Sequence, residues 1–570
     1  MAALAAVTAT VLTNAYYLRF LEPRVSRAWV AALVLVAAGA ALVLSERGAP
    51  RGKAAWLSLA RGAAPPILLA LVVSSAFVLR AWGANAGLPQ SYVSDEYEFV
   101  HDALRMMKGG DLSPHTWYHP TLQPYAALAT YSAVFLLGVR EGRWVEVKQV
   151  TEEDMLYWGR FVGVVSGTLT VVVAFLLGRR LFGPRVGLLA AALLAVFPAA
   201  VEHSQYNKPD PLLALMTAVS VLVAIAYLDK GGRGWAVAAG LAIGLTLATK
   251  YNGIVAVVPF LLAVAFRHGW QMLARPDLYL GGLGIVAGFF LGCPLFLANL
   301  PLFLDHVADD IHAYATGRPG TEGDDNWANH ARYIARDGAG YLPALAGVAG
   351  LGLALWRMNA RLAVFLSFPL LYYGYYSAQR INFRANLLPV FPFLAVLAAY
   401  AVEELVGGLQ ARWRRPRLVA PLATAALLTV LLGPPLVAAV RHDVESTRRD
   451  TGSFAREWIE RTVPAGTRIA LERFTPVLDR SRYPVTQETR LITRSVRSYR
   501  DEGVQYLVVS SLTYDRYAAE HNQSRSYQKL FAICPLVAEF APIPGQRPGP
   551  TIRVLRVPDA PPDEGPAATP

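Results

Sequence analysis

The sequence predicts an all-α polytopic membrane domain of about thirteen transmembrane helices, with interfacial helices in its first outer loop and a small C-terminal α/β domain outside the membrane. Apolar residues make up 54% of the 570 residues and charged residues 16%, whereas typical soluble domains carry about 25% charged residues. The apolar residues form long, nearly uncharged runs. After residue 440 the pattern changes to shorter segments. We predict a helix, a turn and a strand in "SFAREWIERTVPAGTRIALE", a buried strand in "VQYLVVSS", a helix in "LTYDRYAAEHNQSRSYQKLF", and later strands in "PLVAEFAPI" and "TIRVLRV".

A helix that crosses the bilayer needs about 20 mostly apolar residues, within a range of roughly 17–25. By that criterion the candidate spans are 3–18, 28–45, 64–84, 158–178, 186–200, 211–228, 235–249, 252–267, 277–298, 341–356, 362–377, 386–405 and 418–440. Residues 1–63 therefore contribute additional N-terminal membrane segments, and 64–440 form the main membrane domain. The N-terminal run lacks the basic start of a signal peptide, so we expect it to be retained.

Basic loops predict the orientation of these spans, because cytoplasmic loops carry an excess of Lys and Arg. Such loops recur on one side in "GRRLFGPR", "DKGGRG", "RHGWQMLARP", "WRMNAR" and "LQARWRRPR". The scheme requires the apolar segment 121–138 to lie along the outer face as an interfacial helix. The basic loop between the first two spans, with Arg19, Arg24 and Arg27, falls on the opposite side and conflicts with the rule.

The opposite side receives the first outer loop (85–157) and several short turns, and these carry most of the ionisable residues near the membrane. The candidate site residues on this side are Asp95, Glu96, His119, His203, Asp210, Lys250, Arg380 and Arg384. Their convergence at one membrane face predicts a functional site there. The net charge of +12 does not indicate nucleic-acid binding, because the chain has no basic helix or aromatic–basic module.

Each of these signals has a structural alternative. Asp95 and Asp210 stand where acids cap helix N-termini, and Pro209 suits a first helical turn. His119, before Pro120, is also compatible with a hydrogen-bonded structural histidine.

The cations have alternatives of the same kind. Lys250 interrupts an apolar stretch, and a lysine at membrane depth indicates a functional site unless it extends to the interface. Arg380 and Arg384, four residues apart, share a face if their helix starts early. They suit an anionic headgroup or simple anchoring to lipid phosphates.

Acids beside cations at a membrane face suit one reaction, in which a hydroxyl attacks a carbon bonded to phosphate. A carboxylate would take the hydroxyl proton, and lysine and arginine would stabilise the charge that grows on the departing phosphate. The apolar body would hold a lipid chain attached to that phosphate.

Five motifs in order resemble the class C membrane glycosyltransferases. They are "SDE" with "HP", "GRRLFG", "EHSQYNKPD", "TKYNG" and "RANLLPVFPFLAVLAA". The chain is most similar to the bacterial branch related to protein O-mannosyltransferases and the lipid A aminoarabinose transferase, over about 64–405. The resemblance implies a sugar donor on polyprenyl phosphate and a hydroxyl acceptor on a protein, lipid or glycan. It also implies transfer with inversion on the extracytoplasmic face of the bacterial inner membrane.

The resemblance also suggests roles for individual residues. It implies that Asp95 is the base, with Glu96 as its companion, and that Lys250 and Arg384 bind the phosphate, with Arg380 less closely matched. Ala385 follows Arg384 where the family usually has tyrosine.

The second outward loop of the family falls on His203 to Asp210, so that Asp210 would hold the sugar or a metal, and His119 would shape the site. Some relatives use a divalent cation, for which Asp95, Glu96 and Asp210 would be ligands. No spacing typical of a zinc site occurs.

Two regions lie outside the resemblance. Residues 441–556 predict an extracytoplasmic α/β domain, and 557–570 a disordered tail. In the loop 299–340, the set Asp324, Asp325, Trp327 and His330 either contacts sugar or acceptor or belongs to a surface loop.

Two other functions remain open from the sequence. A lipid-linked-sugar transporter or flippase would need polar residues near the bilayer midplane and paired repeats, whereas the spans here are nearly free of charge. A non-catalytic envelope assembly protein would act through its α/β domain. The sequence leaves the sugar, the acceptor, the metal dependence and the oligomeric state undetermined.

Overall fold

The computed structural model describes residues 53–93, 95–317, 325–412, 419–516 and 521–559. The predicted spans 3–18 and 28–45 lie outside the described residues, as does nearly all of the predicted disordered tail.

The membrane domain is built from α-helices that are joined by short turns. In chain order the helices are α1 (Lys53–Gly83), α2 (Glu96–Gly109), α3 (Leu122–Arg140), α4 (Glu152–Phe182), α5 (Pro184–Val196), α6 (Pro198–His203), α7 (Asp210–Lys230), α8 (Arg233–Thr249), α9 (Val257–His268), α10 (Pro276–Gly292), α11 (Leu300–Thr316), α12 (Asn326–Tyr333), α13 (Tyr341–Trp356), α14 (Ala360–Ser377), α15 (Phe391–Arg412) and α16 (Val419–Ser446).

A helix occupies each predicted span from residue 64 onward. In the described part of the chain, seven helices are long and apolar enough to cross a membrane. The predicted number of thirteen is therefore not reached by this criterion, and four shorter apolar helices accompany the seven. Helix α3 matches the segment predicted to lie flat, yet it also has the length and composition of a span. Its orientation stays a prediction.

Helices α4, α7 and α15 are mostly buried and form the centre of the domain. By contrast, α10 and α13 expose leucine and valine side chains, among them Leu283 and Leu345. Exposed apolar side chains of this kind suit contact with lipid tails. The arrangement is that of a helical bundle with an apolar outer belt, as expected for a multi-pass membrane protein.

The α/β domain contains a five-stranded sheet of order β2-β1-β3-β5-β4. Its elements are α17 (Thr451–Thr462), β1 (Arg468–Glu472), β2 (Val485–Glu488), α18 (Val496–Asp501), β3 (Val504–Ser510), α19 (Ser511–Tyr514), α20 (His521–Ile533), β4 (Leu536–Phe540) and β5 (Ile552–Arg556). Strands β1, β2 and β3 are parallel, and β5 is antiparallel to both β3 and β4.

The sequence predicted the helix α17 and the strands β1, β3, β4 and β5. It missed β2, a short edge strand whose four residues lack an apolar run. Helix α16 extends to Ser446, past the predicted domain boundary at 441.

The first outer loop is hydrogen-bonded to the α/β domain through buried contacts. The Gln90 amide donates to both carboxylate oxygens of Asp450, at 3.2 and 3.1 Å. The backbone N–H of Gly452 donates to the Tyr92 hydroxyl at 3.2 Å. Asp450 is also the N-cap of α17. Because Asp95 follows these residues closely, the α/β domain helps to set the position of the loop that carries it.

Candidate active site

Asp95 stands at the N-cap of α2, but its carboxylate makes no capping hydrogen bond. The side chain instead lies 3.3 Å from the Lys208 ammonium, in the second outward turn. It is 44% exposed, so a substrate can reach it. Simple helix capping therefore does not account for Asp95.

Glu96 points away from solvent and is fully buried. The Arg160 guanidinium donates to both of its oxygens, at 2.9 and 2.8 Å, and the backbone N–H of Asn207 donates to it at 2.7 Å. This is a bidentate pair inside the protein. The acid pair predicted from the sequence thus separates into one accessible carboxylate and one enclosed carboxylate.

Lys250 has an extended backbone conformation and lies between α8 and a 3₁₀ turn (Tyr251–Ala256). Its ammonium donates to Asp210 at 2.9 Å and to the Asn386 side-chain oxygen at 2.7 Å. The Asn386 amide in turn donates to the Tyr314 hydroxyl at 3.1 Å. The Lys250 side chain therefore binds groups of the protein and does not simply extend to the membrane interface. Asp210, which begins α7, is buried and serves this network rather than a helix cap alone.

His119 is close enough to interact electrostatically with both acid–cation pairs, Asp95–Lys208 and Asp210–Lys250. Its ring stacks obliquely on Phe99, with centroids 5.3 Å apart. Burial, followed by the nearby Lys250 charge, lowers the pKa of His119 to about 4. The imidazole is therefore neutral at pH 7 and can donate or accept one hydrogen bond without adding a charge.

His203 and the two predicted arginines lie at the edge of this site. The His203 Nε2 atom is 2.9 Å from the Tyr333 hydroxyl, and the Arg384 guanidinium lies over the Tyr333 ring at 5.3 Å. Arg380 is exposed. The two arginines would share a helical face only if the helix started early, and this condition is not met, because Arg384 begins a 3₁₀ turn (Arg384–Val390) and the preceding Phe383 is extended.

The outer loop predicted as a possible sugar contact has mostly structural partners. Asp325 caps α12 by accepting from the Ala328 N–H at 3.1 Å, and buried His330 lies 3.1 Å from the Ser377 hydroxyl. Trp327 is 52% exposed beside Tyr373. Asp324 lies outside the described residues.

The set of candidate residues from the sequence did not include four residues of this site: Arg160, Lys208, Tyr314 and Asn386. A charge within an apolar helix was a usable signal for Arg160, and Lys208 stands within the motif already singled out. Asn386 and Tyr314 carried no such signal, because neither residue type is unusual where it stands.

The carboxylates of the site do not fit a resident metal ion. Asp95, Glu96 and Asp210 each face a cation of the protein, namely Lys208, Arg160 and Lys250. Among the residues that the structure describes, no group of three or more His, Cys, Asp or Glu side chains is placed to hold a metal.

Two kinds of comparison connect this geometry to known proteins. Residues 153–292 match the family model described as dolichyl-phosphate-mannose-protein mannosyltransferase. The crystal structure of ArnT from Cupriavidus metallidurans bound to undecaprenyl phosphate superposes with a TM-score of 0.52 at 16% identity, over 88% of this chain and 98% of that one. The fold is that of the class C membrane glycosyltransferases. The resemblance read from the sequence is thereby confirmed.

Further proteins are similar to this chain. The archaeal oligosaccharyltransferase AglB from Archaeoglobus fulgidus gives a TM-score of 0.50 at 12% identity, over 83% of this chain and 72% of that one. The undecaprenyl phosphate-alpha-4-amino-4-deoxy-L-arabinose arabinosyl transferase of Pseudomonas aeruginosa strain UCBPP-PA14 is 32% identical over 228 residues, 38% of this chain and 37% of that protein. The second Pseudomonas fluorescens Pf-5 transferase of that name is 24% identical over 428 residues, 70% of this chain and 64% of that protein. The match thus spans less than two thirds of either relative.

Proposed function

We propose that this protein is a membrane glycosyltransferase that moves a sugar from a polyprenyl-phosphate donor to an acceptor hydroxyl. One observation carries the proposal. Two acid–cation pairs, Asp95–Lys208 and Asp210–Lys250, come from chain-distant segments to one site, within a fold that in a solved relative binds undecaprenyl phosphate. The names of the relatives indicate the class of donor, a sugar carried on undecaprenyl phosphate.

In this reaction Asp95 is the general base. The acceptor oxygen forms a bond to the anomeric carbon while its proton passes to the Asp95 carboxylate. The bond between that carbon and the phosphate oxygen breaks, and its electron pair leaves with the lipid phosphate. Attack opposite the leaving group inverts the anomeric carbon. Lys208, 3.3 Å away, favours the ionised carboxylate before the transfer.

Lys250 and Arg384 stabilise the departing phosphate in this proposal. Lys250 already neutralises Asp210, so its ammonium is held at a fixed place and can interact with charge that develops during the reaction. Arg384, over Tyr333, supplies a second positive charge, and exposed Arg380 acts at longer range. His119 and His203 shape the sugar-facing wall, with Asp210 behind Lys250.

Glu96 has a positioning role and does not take part in the chemistry of the transfer. Its buried bonds to Arg160 and to the backbone N–H of Asn207 tie α2 to α4 and to the turn that carries Lys208. We therefore revise the expectation that Glu96 acts beside Asp95 on the substrate.

The extracytoplasmic placement of the site, in a bacterial inner membrane, is part of the same proposal. It rests on the basic loops, which lie at the opposite ends of the helices from Asp95 and the α/β domain, and on the rule that such loops face the cytoplasm.

The test is transfer of radiolabelled sugar in membranes that contain wild-type protein or Asp95→Asn. The donors are undecaprenyl phosphate carrying aminoarabinose and polyprenyl phosphate carrying mannose, the two donor types in the relatives' names. Extracted lipid and glycan fractions serve as acceptors. We expect transfer from one donor by wild-type protein, and a loss of at least about 100-fold in Asp95→Asn, the lower end of the usual range for a general base.

Asp111→Asn is the matched control, because Asp111 lies in the same outer loop and is 63% exposed. It should transfer sugar at the wild-type rate. Near-normal transfer by a stably expressed Asp95→Asn protein would remove Asp95 from the role of base, and absence of transfer by wild-type protein from either donor would count against the reaction.

A further inference from the structure

A cleft of about 410 Å³ lies between the first outer loop and the α/β domain. Binding pockets for small molecules span about 300–1,000 Å³, so the cleft is large enough for a short oligosaccharide unit. One wall comes from α2 and the start of α4, and the other from β2 and the chain after β1. The residues that line this cleft have no role in the transfer step proposed above.

The cleft lies next to the candidate base. Its lining residues Ser91, Tyr97 and Glu98 lie within four residues of Asp95 in the chain. Burial and then the negative charge of Asp95 raise the pKa of Glu98. An acceptor held in the cleft would therefore have a hydroxyl within a short reach of Asp95.

The charged lining has more carboxylates than cations. It comprises Glu98, Glu152, Glu153, Glu488, Arg473 and Arg480. Four carboxylates face two guanidiniums in the lining, and one of the four, Glu488, is also paired with Arg494 at 3.4 Å, so that about one negative charge remains in excess. Arg473 is also engaged with Glu98 at 3.5 Å. Such a lining repels phosphate and carboxylate groups, and like-charge contacts of this kind exclude wrong partners.

Two histidines of the lining are already bound to carboxylates of the protein. The His101 and His115 Nδ1 atoms each lie 2.8 Å from a carboxylate, of Glu152 and Asp102 respectively. These rings are therefore engaged with acids of the protein.

The remaining lining mixes hydrogen-bonding side chains with apolar ones. Gln487, Thr475 and Thr489 supply groups that donate and accept hydrogen bonds, and Tyr97 and Phe474 supply flat apolar faces. A sugar ring presents hydroxyls that both donate and accept, together with apolar C–H faces. Carboxylates and guanidiniums bind such hydroxyls through charge-assisted hydrogen bonds.

We propose that this cleft is the acceptor site and that it binds a neutral, polyhydroxylated glycan rather than an anionic lipid headgroup or a peptide. The identification of the ligand as the acceptor rests on the proposed glycosyl transfer. The binding of a neutral glycan rests on the cleft alone. The α/β domain then provides half of the acceptor site.

The test is saturation-transfer NMR on the full-length protein in nanodiscs of zwitterionic lipid, without donor. The probes are neutral disaccharides of glucose, mannose, galactose and arabinose, maltose 1-phosphate as the anionic match of maltose, and a serine-rich peptide. We expect at least one neutral disaccharide to bind, and maltose 1-phosphate to bind more weakly than maltose. Thr489→Trp, which fills the cleft from an exposed position directly after β2, should weaken glycan binding at least tenfold.

Two variants complete the design. Asp111→Asn, outside the cleft, should bind like wild-type protein. Glu153→Lys removes the excess of negative charge, so it should narrow the difference between maltose and its phosphate. The proposal is overturned if no neutral disaccharide binds, if Thr489→Trp leaves binding intact, or if the phosphate or the peptide binds in preference. Because donor is absent, these outcomes are independent of the transfer assay with Asp95→Asn.

Discussion

Each acid of the candidate site has a cationic partner. The solvent exposure of a pair indicates which role that pair has in the site. Asp95 and Lys208 have side-chain exposures of 44% and 21%, whereas Glu96 and Arg160 have 0% and 2%. An exposed pair in water is worth little and exchanges partners readily. A buried pair cannot lose one member without leaving an uncompensated charge. Adjacent residues of one acid pair therefore have different physical functions.

Glu96→Gln should destabilise the protein, because the Arg160 guanidinium would stay buried without its counter-charge. Breaking a buried pair costs about 3–5 kcal/mol. Bonds from Arg160 to the carbonyls of Ala84 and Ala86 would remain and limit the loss. We expect a lowered melting temperature in detergent for Glu96→Gln and an unchanged one for Asp95→Asn. A Glu96→Gln protein with wild-type stability and no transfer activity would instead make Glu96 a catalytic residue.

Glu472 gives the α/β domain a pH dependence. Burial raises the pKa of this carboxyl from 4.5 to about 7, although Tyr527 and two backbone N–H groups donate to it. The folded domain therefore binds a proton that the unfolded chain releases between these values. The free energy of unfolding should fall by up to about 3 kcal/mol as the pH rises from 4.5 to 7.

The measurement is pulse proteolysis of the full-length protein in urea at pH 5 and pH 8, with cleavage followed within 447–559. In Glu472→Gln the difference in midpoint between the two pH values should shrink, because the amide does not titrate. An unchanged difference would assign the pH dependence to other groups.

At the scale of elements, glycines decide how closely α8 and α10 approach. A Cβ atom on Gly288 would lie 2.4 Å from the Leu241 carbonyl oxygen, and one on Gly284 would lie 2.7 Å from that of Val237. Backbone atoms cannot move aside as side chains can. Small residues at such a contact allow membrane helices to pack by their backbones.

Gly288→Val should therefore separate α8 from α10 and displace Lys250, which directly follows α8. We expect a lowered melting temperature and reduced transfer. Gly282→Val is the matched control, since a Cβ atom there meets nothing within 4 Å. Equal behaviour of the two variants would refute the role of close backbone packing.

A break between elements also explains the place of Lys250. Helix α8 ends at Thr249, and Lys250 has an extended backbone with φ −160° before the 3₁₀ turn begins. A lysine one turn earlier would point along the apolar side of a helix. The interruption turns its side chain towards Asp210 and Asn386.

At the scale of the whole molecule, the α/β domain and the site lie at the same ends of the helices, and the basic loops lie at the other ends. In intact cells, an impermeant thiol reagent should label Gln546→Cys, an exposed residue of the α/β domain. It should not label Gly234→Cys, where the added side chain is unobstructed at the start of α8, beside a basic turn. Both native cysteines are buried. Labelling of Gly234→Cys alone would reverse the orientation.

The sequence by itself determined the positions of the apolar helices from residue 64 onward, four of the five strands, and the helix ends at which the polar groups collect. These follow from local composition, since a stretch of about 20 apolar residues spans a bilayer and a charge within it is costly. The positions of Asp95, Asp210 and Lys250 could be predicted on that ground, because each interrupts or borders an apolar run.

Only the tertiary structure decided which acid pairs with which cation. Glu96 and Arg160 are 64 residues apart, and Asp210 and Lys250 are 40 apart. No local pattern encodes such separations. Asp95 and Glu96 are adjacent acids that differ in burial. Helix packing places the Asp95 side chain at the surface and the Glu96 side chain among α2, α4 and the second outward turn. The acceptor cleft likewise exists only where the first loop meets the folded α/β domain.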